Sequence, residues 1–258
     1  RSSAASDVYK RQVGELIART PADGVLTGFG EINAELVDRA MAQSLVIAFD
    51  DTVLAGTMGE TARDKLEHVL GVARQACTPV VLFAEGGGGR AGDTDGKVGV
   101  TGWTMDVRTY YAFGRLSALV PLVGVVAGRC FAANAGVLAC CDVIIATEGA
   151  RLGVGGPAMV EGARLGRYDA DEIGPMSVQG PNGVVDVVVP DEVEAAATAR
   201  RYLSYFQGPL TGWDCADQRI ARGLVPPNRV RAYDVRAVVE TLADTGSVLE
   251  LRSANLAD

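Results

Sequence analysis

Thr78–Arg90 reads TPVVLFAEGGGGR: a run of buried-strand residues from Val80 to Ala84 leads, past Glu85, into Gly86, Gly87, Gly88 and Gly89, and the stretch closes on Arg90. Glycine loses more conformational freedom on folding than any other residue. Four in succession therefore imply positive φ angles, bare amides, or a group packed directly on the backbone. Bare N–H groups at a strand end attract anions and developing oxyanions. An ordinary surface loop is the competing reading of the glycines alone, and the flanking chain has to decide between the two.

Upstream, Thr61–Ala76 places Leu66, Val69, Leu70, Val72 and Ala73 at helical spacing, with Arg74 late in the segment as the helix dipole favours. Before it, Val25–Gly59 reads as short strands separated by turns, Gly30–Asn33, Ser44–Asp50 and Thr52–Ala55, too closely spaced for helices between them. The glycine run thus follows strands, a helix and a strand, at the carboxyl end where open α/β sheets bind ligands. Downstream, a second unit begins with a helix from about Met105 to Leu119 and a strand over Val120–Val126. GRCFAANAGVLACCDVIIA follows, in which Gly128, Ala132, Ala133, Ala135 and Gly136 open a helix whose first amides turn back toward the strand ends. A tightly packed buried helix would account for the same small residues.

Val143–Thr147 reads as a buried strand, followed by an extended segment at Arg151–Gly155, a short helix at Pro157–Gly162, the polar loop RYDADEIGP and a strand at Gly183–Val189. Asp191–Tyr205 is an Ala-rich amphipathic helix with acid at its start and Arg200 and Arg201 near its end. From Gln207 to Arg231 proline, glycine and charge accumulate, as in a crossing segment with one short helix near Trp213–Arg222; Tyr233–Glu250 then begins a fresh helix and strand. Residues 1–12, RSSAASDVYKRQ, have no apolar pattern and read as adapter or linker sequence.

Composition removes several classes of function. With 258 residues and 48% hydrophobic content the chain can form one large α/β domain or two ordinary ones. A net charge of −8 argues against nucleic acid or an anionic membrane surface as partner, and no uncharged apolar run reaches the length of a membrane span. Five cysteines, an odd number with no zinc-like spacing and no signal peptide ahead of them, read as thiols of a cytoplasmic protein. The single histidine, His68, lies mid-helix, and the chain contains no G-x-S-x-G elbow, so a histidine-dependent hydrolase is disfavoured. Cys130 has no recognisable base beside it and reads as a small buried side chain. Gly87–Gly92 matches G-x-G-x-x-G with Asp106 downstream, yet a dinucleotide turn must open a helix at once, and this one runs on as loop. Gly96–Lys97 is not a phosphate loop, because Val98 replaces the hydroxyl residue.

The order of the motifs carries the sharpest signal. A GTMG turn before a helix, the glycine turn ending in Arg90, CFAANAGVLACCDVIIA, GGPAMVEG, EIGPMSVQGPNGVVD and LSYFQG together resemble the carboxyltransferase domain of biotin-dependent acyl-CoA carboxylases. The likeness is greatest to single-chain types that fuse biotin carboxylase, biotin carrier and carboxyltransferase parts. It runs from about Gly28 to Leu251. The resemblance implies an α/β protein with a ClpP/crotonase-like spiral of ββα units, built as two halves that complete each other across a dimer. Residues 13–206 would then be the N-terminal, acyl-CoA-binding subdomain, 207–232 a crossing segment, and 233–258 the start of the C-terminal subdomain. The implied reaction is transfer of a carboxyl group from carboxybiotin, held on a carrier, to the α-carbon of an acyl-CoA, with the biotin anion taking the α-proton and no metal required.

By the same resemblance Gly87 and Gly88 take the place of the paired glycines whose amides hold the thioester oxyanion. Gly56, Thr57, Gly59, Gly86, Gly89, Arg90, Phe131, Ala132 and Ala133 line the acyl-CoA pocket. Arg63, Arg74, Arg90 and Arg129 fall near the strand ends, where CoA phosphates would need charge-assisted donors. The implied partners are acyl-CoA, the biotin carrier and biotin carboxylase parts, the C-terminal half and further copies of the chain. The family's usual D-S-G-G-A-R is E-G-G-G-G-R here, and a histidine often found in the helix after the GTMG turn is absent. A crotonase-type hydratase or hydrolase of the same fold is one rival and would need an acid or base such as Glu85 or Glu161; a non-catalytic subunit that uses the same fold for assembly only is the other.

Overall fold

The computed structural model describes residues 14–15, 17–90, 107–209 and 212–252. The adapter-like residues 1–12, Ala91 and Gly92 of the dinucleotide-like pattern with Asp106, the Gly96–Lys97 pair and the expected helix start at Met105 lie outside the described residues.

Among the described residues, eight strands form two layers: β1 (Val25–Glu31), β2 (Gln43–Phe49), β3 (Val80–Phe83), β4 (Leu122–Val126), β5 (Arg129–Phe131), β6 (Val143–Thr147), β7 (Arg151–Gly153) and β8 (Val187–Val189). The larger sheet has the order β1-β2-β3-β4-β6-β8, in which β1 is antiparallel to β2 and all later neighbours are parallel. β4 and β6 are buried along their whole length. Central parallel strands covered on both faces must be continuously apolar, which is why LVGVV and VIIAT show no alternation.

The second layer is made of short crossings. β5 pairs with β7, and isolated bridges join Met58 to Gly89, Gly86 to Cys130 and Arg151 to Pro175. Each long strand therefore passes through a short crossing and into a helix. β2 leads by Met58 to α1 (Glu60–Ala76), β3 by the glycine turn toward α2 (Arg108–Gly114), β4 by β5 to α3 (Ala133–Leu138), and β6 by β7 to α4 (Pro157–Gly162). Four successive ββα turns stacked in chain order are the spiral that the motif order implies.

Two apolar cores hold the layers. Leu45, Ile47, Leu82 and Leu122 meet Leu66, Leu70, Phe113 and Leu138 from α1, α2 and α3 on one side. Val81, Val123, Val125, Val143 and Ile145 meet Ala195, Ala199 and Leu203 on the other. Those last three belong to α6 (Glu192–Ser204), which follows α5 (Met176–Gln179) and is capped by the Asp191 carboxylate accepting the Glu194 N–H at 2.9 Å. In the LSYFQG motif Gln207 is a buried clamp: its amide takes the Asn33 amide N–H at 2.8 Å and donates to Ile32 O at 2.9 Å, tying α6 to the β1–β2 connection.

Several expected elements differ. The first strand is Val25–Glu31 rather than Gly30–Asn33, because Asn33 has φ +62° and turns the chain. Thr52–Ala55 is a turn ending in the 3-10 segment Leu54–Gly56, since the Asp50 carboxylate accepts both the N–H and the hydroxyl of Thr52 and bends the chain locally. The helix expected up to Leu119 ends at Gly114 in turns, with Ala118 at φ +64°. The strand expected over Gly183–Val189 is paired only at Val187–Val189. The short helix near Trp213–Arg222 sits later, as the 3-10 segment Gln218–Ile220 and α7 (Ala221–Leu224). After α8 (Val235–Leu242) the strand expected toward Glu250 is not a strand. That segment is instead strapped to the body, with Arg201 donating to Gly246 O at 2.8 Å and Val248 O at 2.6 Å, and Arg252 donating to the Asp186 carboxylate at 2.8 Å.

Candidate active site

The glycine run sits where the first three turns of the spiral touch. Gly56, at the end of the first, and Gly86, at the end of the second, pack backbone on backbone with φ of +62° and +103°. A Cβ on Gly86 would stand 2.5 Å from Gly56 O, so no other residue can occupy the position without moving both turns. The Asn134 side chain, fully buried in α3, donates to Gly56 O at 2.9 Å and also to Glu85 O. Gly86 N–H donates to Arg129 O at 2.7 Å, and Phe131 N–H donates to Gly86 O at 2.9 Å. Asn134 is therefore a site residue that the small-residue reading of FAANAG passed over. A polar side chain in a run of buried small residues must have found partners, and that was the available signal.

Gly88 is wedged against the start of α3. Its φ is +94°, and a Cβ there would stand 2.6 Å from Ala132 Cβ and 2.9 Å from Ala133 N. Ala132 itself holds φ +53° with ψ −123°, a conformation that costs a residue with a side chain about 1–3 kcal/mol and is found where a site over-determines the backbone. The amides of this cluster divide into two groups. Gly86 N–H donates to Arg129 O, Gly87 N–H to Ala55 O at 3.0 Å, and Ala132 N–H to Gly153 O at 3.1 Å. Gly88 N–H, the adjoining Gly89 N–H and Ala133 N–H have no acceptor among the described residues, and of these Gly88 and Ala133 meet at the contact. Gly87, expected as one of two donors to an oxyanion, thus has its N–H engaged by Ala55, and Ala133 supplies the free amide beside Gly88.

The other sequence candidates fall into place around this contact. Arg90 is a staple and not a free cation: it forms an ion pair with Asp23 at 2.5 Å and donates to Thr57 O at 2.7 Å, with its side chain only 13% exposed. The acid of that pair lies in the turn before β1, so Arg90, expected to meet substrate, is held by the protein's own groups. Thr57 turns its hydroxyl back to Leu54 O at 2.8 Å, and Gly59 precedes α1 as its cap residue. Gly89 bridges to Met58 and is exposed. Phe131 is buried and packs against Gly156.

Of the arginines expected near CoA phosphates, Arg129 is held by both carboxylate oxygens of Asp171 at 2.9 Å. Arg74 lies roughly 20 Å along α1 from the glycine turn, at the rise of 1.5 Å per residue. Arg63, in the first turn of α1, does reach the turn: its Nη2 lies 3.2 Å from where a Cβ on Gly89 would stand.

No side-chain base meets Gly88 and Ala133 among the described residues. His68 is exposed on α1. Glu161 is exposed and pairs with Arg167 at 2.6 Å. Glu85 accepts the Gly128 N–H at 2.9 Å; burial raises its carboxyl above the usual range, opposed by that backbone bond. Burial also pushes the Cys130 thiol up, with the Glu85 charge adding to the effect. The nearest titratable hydroxyl is that of Tyr110, which donates to Ala133 O at 3.3 Å and whose pKa is raised by burial. No cluster of three or more metal-ligating side chains occurs among the described residues, nor any helix long and apolar enough to cross a membrane.

A positive-φ glycine turn set against a helix start, with two amides unpartnered among the described residues at the contact, is the candidate site. A family model described as the carboxyl transferase domain matches residues 3–255. The chain belongs to the carboxyl transferase domain family. This carboxyl transferase domain is 29% identical over 247 residues to the methylmalonyl-CoA carboxyltransferase 12S subunit of Propionibacterium freudenreichii subsp. shermanii, covering 92% of the chain and 44% of that protein. It is 27% identical over 241 residues to the propionyl-CoA carboxylase beta chain of Roseobacter denitrificans, covering 89% of the chain and 45% of the relative. Among solved structures it superposes on a single-chain, multi-domain long-chain acyl-CoA carboxylase with a TM-score of 0.83 and 51% identity, over 93% of this chain and 24% of that one. It also superposes on the transcarboxylase 12S hexamer solved with methylmalonyl-CoA, with a TM-score of 0.68 and 26% identity, over 91% of this chain and 45% of the other. The ββα spiral is thus the crotonase-like fold of the carboxyltransferases. The chain spans a little under half the length of the curated relatives it matches.

Proposed function

We propose that this carboxyl transferase domain moves a carboxyl group from carboxybiotin to the α-carbon of an acyl-CoA, and that Gly88 N–H and Ala133 N–H hold the thioester oxygen. The observation that carries the reading is the pair of unpartnered amides at the Gly88–Ala132–Ala133 contact. Loss of the α-proton places negative charge on the thioester oxygen. A preorganised N–H aimed at such an oxygen contributes on the order of a hundredfold to a thousandfold in rate. Gly56, Gly86 and Asn134 support the reading by fixing the turn from behind, so the amides need no reorganisation as the charge develops.

Enolate formation also needs a proton acceptor, and no side-chain base meets Gly88 and Ala133 among the described residues. That agrees with a reaction whose base arrives with its cofactor: biotin on its carrier supplies both the carboxyl group and the acceptor of the α-proton. The chain's own contribution is then to bind the thioester, orient its α-carbon and hold the oxyanion. We place this acyl-CoA-binding half in residues 13–206, with 207–232 crossing to a second half that begins near Tyr233 and would present biotin. Exposed apolar residues at Trp213, Val230, Val235 and Leu242 support a surface that a second half or another copy covers. The biotin carrier, biotin carboxylase, oligomer and cytoplasmic setting belong to the same proposal; the free cysteines and the multi-domain relative support them.

The test is transfer of labelled carboxyl from a carboxylated carrier to a series of acyl-CoA thioesters by the full-length protein. Label should reach the α-carbon of at least one acyl-CoA, and a thioether analogue lacking the carbonyl oxygen should bind about tenfold more weakly or worse. No transfer to any acyl-CoA by folded protein would remove the proposal.

A further inference from the structure

Arg63 is placed oddly for a structural residue. It is a cation in the first turn of α1, where the helix dipole favours acids. It is half-buried, and it has no ion-pair or hydrogen-bond partner among the described residues. Nearby arginines are matched: Arg90 with Asp23, Arg108 with Asp64 and Glu67, Arg129 with Asp171. A guanidinium withdrawn from water without a counter-anion is unfavourable unless an anion arrives.

Its surroundings say which anion. Arg63 Nη2 lies 3.2 Å from the Cβ position of Gly89, one residue beyond the Gly88 amide, and Gly88 itself abuts Ala133 N. Tyr110, on α2, reaches the start of α3: its hydroxyl is 3.3 Å from Ala133 O and 3.0 Å from the Cβ position of Gly136. Burial and the Cys140 thiol raise the phenol's pKa, while the Arg63 charge pulls it down, so the guanidinium and the phenol share one field. Arg63 thus stands beside Gly89 and Tyr110 beside Ala133, next to the two amides that the proposed function assigns to the thioester oxygen. The phosphates of CoA are a poor match for this cation, because the pantetheine arm carries them far from the thioester. The anion that lies next to a thioester carbonyl is a carboxylate on the α-carbon.

We propose that Arg63 binds the carboxylate of the α-carboxyacyl-CoA, a malonyl-type thioester, with the Tyr110 hydroxyl turning its one proton from Ala133 O to the same carboxylate. The inference rests on the reading of Gly88 and Ala133 as the thioester site and adds the group that distinguishes the carboxylated thioester from the uncarboxylated one. Arg63 would hold the carboxylate as it reaches the α-carbon, and would hold it equally when the reaction runs backward.

The experiment compares dissociation constants of an acyl-CoA, its α-carboxylated counterpart and free CoA for the full-length protein, its Arg63→Met variant and its Arg63→Lys variant, with thermal unfolding to confirm the fold. Arg63→Met should weaken the carboxylated thioester about tenfold to a hundredfold, the scale of one charge-assisted hydrogen bond. It should leave acyl-CoA and CoA within about twofold, and Arg63→Lys should restore part of the loss. Equal weakening of all three ligands would overturn the proposal and make Arg63 a phosphate contact. No change in any of them would overturn it in favour of a bystander. If the unaltered protein binds neither thioester, the acyl-CoA reading itself falls, which is a different result from either.

Discussion

Substituting Gly88 by alanine tests the site most directly, because the consequence can be worked from the backbone. At φ +94° an added Cβ is strained whatever the space around it, at a cost of about 1–2 kcal/mol for left-handed backbone. The space is also missing. The new methyl carbon would stand 2.6 Å from Ala132 Cβ, and since carbon atoms prefer about 3.5–4.0 Å, the turn and the start of α3 must separate by roughly 1 Å. That displacement pulls the Gly88 and Ala133 amides apart. Misplacement of a catalytic group by about 1 Å costs on the order of a hundredfold, and losing one oxyanion donor costs about 2.7–4 kcal/mol.

The expected result is a folded protein whose kcat for acyl-CoA carboxylation falls about a hundredfold to a thousandfold. Two neighbours serve as controls. A Cβ on Gly87 would meet Thr57 Cγ2 at 3.4 Å and Ala55 O at 3.6 Å, ordinary contacts at a φ outside the left-handed region, so Gly87→Ala should keep kcat within about threefold. A Cβ on Gly86 would meet Gly56 O at 2.5 Å, so Gly86→Ala should lose stability before activity can be measured. The assay is steady-state kcat and KM on the full-length enzyme, with unfolding curves for each variant. A folded Gly88→Ala enzyme with unchanged kcat, or a disabling Gly87→Ala, would refute the assignment of the two free amides.

Three further outcomes follow from the packing around the turn. Asn134→Leu strips two buried carbonyls, Gly56 O and Glu85 O, of their shared donor; at about 1–3 kcal/mol for each unsatisfied group it should lower the denaturant midpoint markedly, and an unchanged midpoint would mean the clamp is idle. Arg90→Met should destabilise by about 3–5 kcal/mol through the unpaired Asp23 left behind, while CoA affinity of the folded protein stays level; a selective loss of CoA binding would make Arg90 a substrate contact instead. Glu85 carries a carboxyl pKa raised chiefly by burial, so its contribution to stability is present below the ordinary glutamate range and is lost as pH rises through the raised value. Glu85→Gln keeps an acceptor for Gly128 N–H and lacks that titration, so its stability relative to the unaltered protein should grow as pH rises above the ordinary glutamate range; a constant difference would contradict the sign.

Much of the scaffold was legible in the sequence where one physical effect dominated. Val143–Thr147 and Pro157–Gly162 were read at their observed bounds, the first because a strand buried on both faces has no alternation to blur, the second because proline opens a helix. Thr52–Ala55 was misread because β-branched residues suggested a strand, while the Asp50 carboxylate two residues earlier bent the chain into a turn. The candidate site was legible as a stretch of residues and not in its bonds. Four glycines announced a backbone site, yet which amide stays free depends on Ala55 O and Gly153 O, carbonyls from other turns of the spiral. Arg90 looked available because its acid, Asp23, lies 67 positions away in sequence.

That dependence on distant partners has a consequence for how the enzyme can fail. A site made of side chains can be retuned residue by residue, but one made of amides is only as well placed as the backbone that carries it. Here the Gly88 carbonyl is held by Met58 N–H at 2.7 Å from the first turn of the spiral, Gly86 N–H by Arg129 O at 2.7 Å from the third, and Gly56 O by Asn134 at 2.9 Å from α3. Each bond joins a different pair of turns. The separation of the two free amides is therefore set by the stacking of three ββα units, and loosening any one of them moves an amide before it exposes the core. Substitutions at Asn134, Gly56 or Met58 should accordingly reduce kcat at temperatures where the fold is still intact, since about 1 Å of slack already removes most of the rate. Substitutions of equal destabilisation under α6, which packs on the far face of the sheet through Ala195, Ala199 and Leu203, should lower the unfolding temperature and leave kcat near its original value.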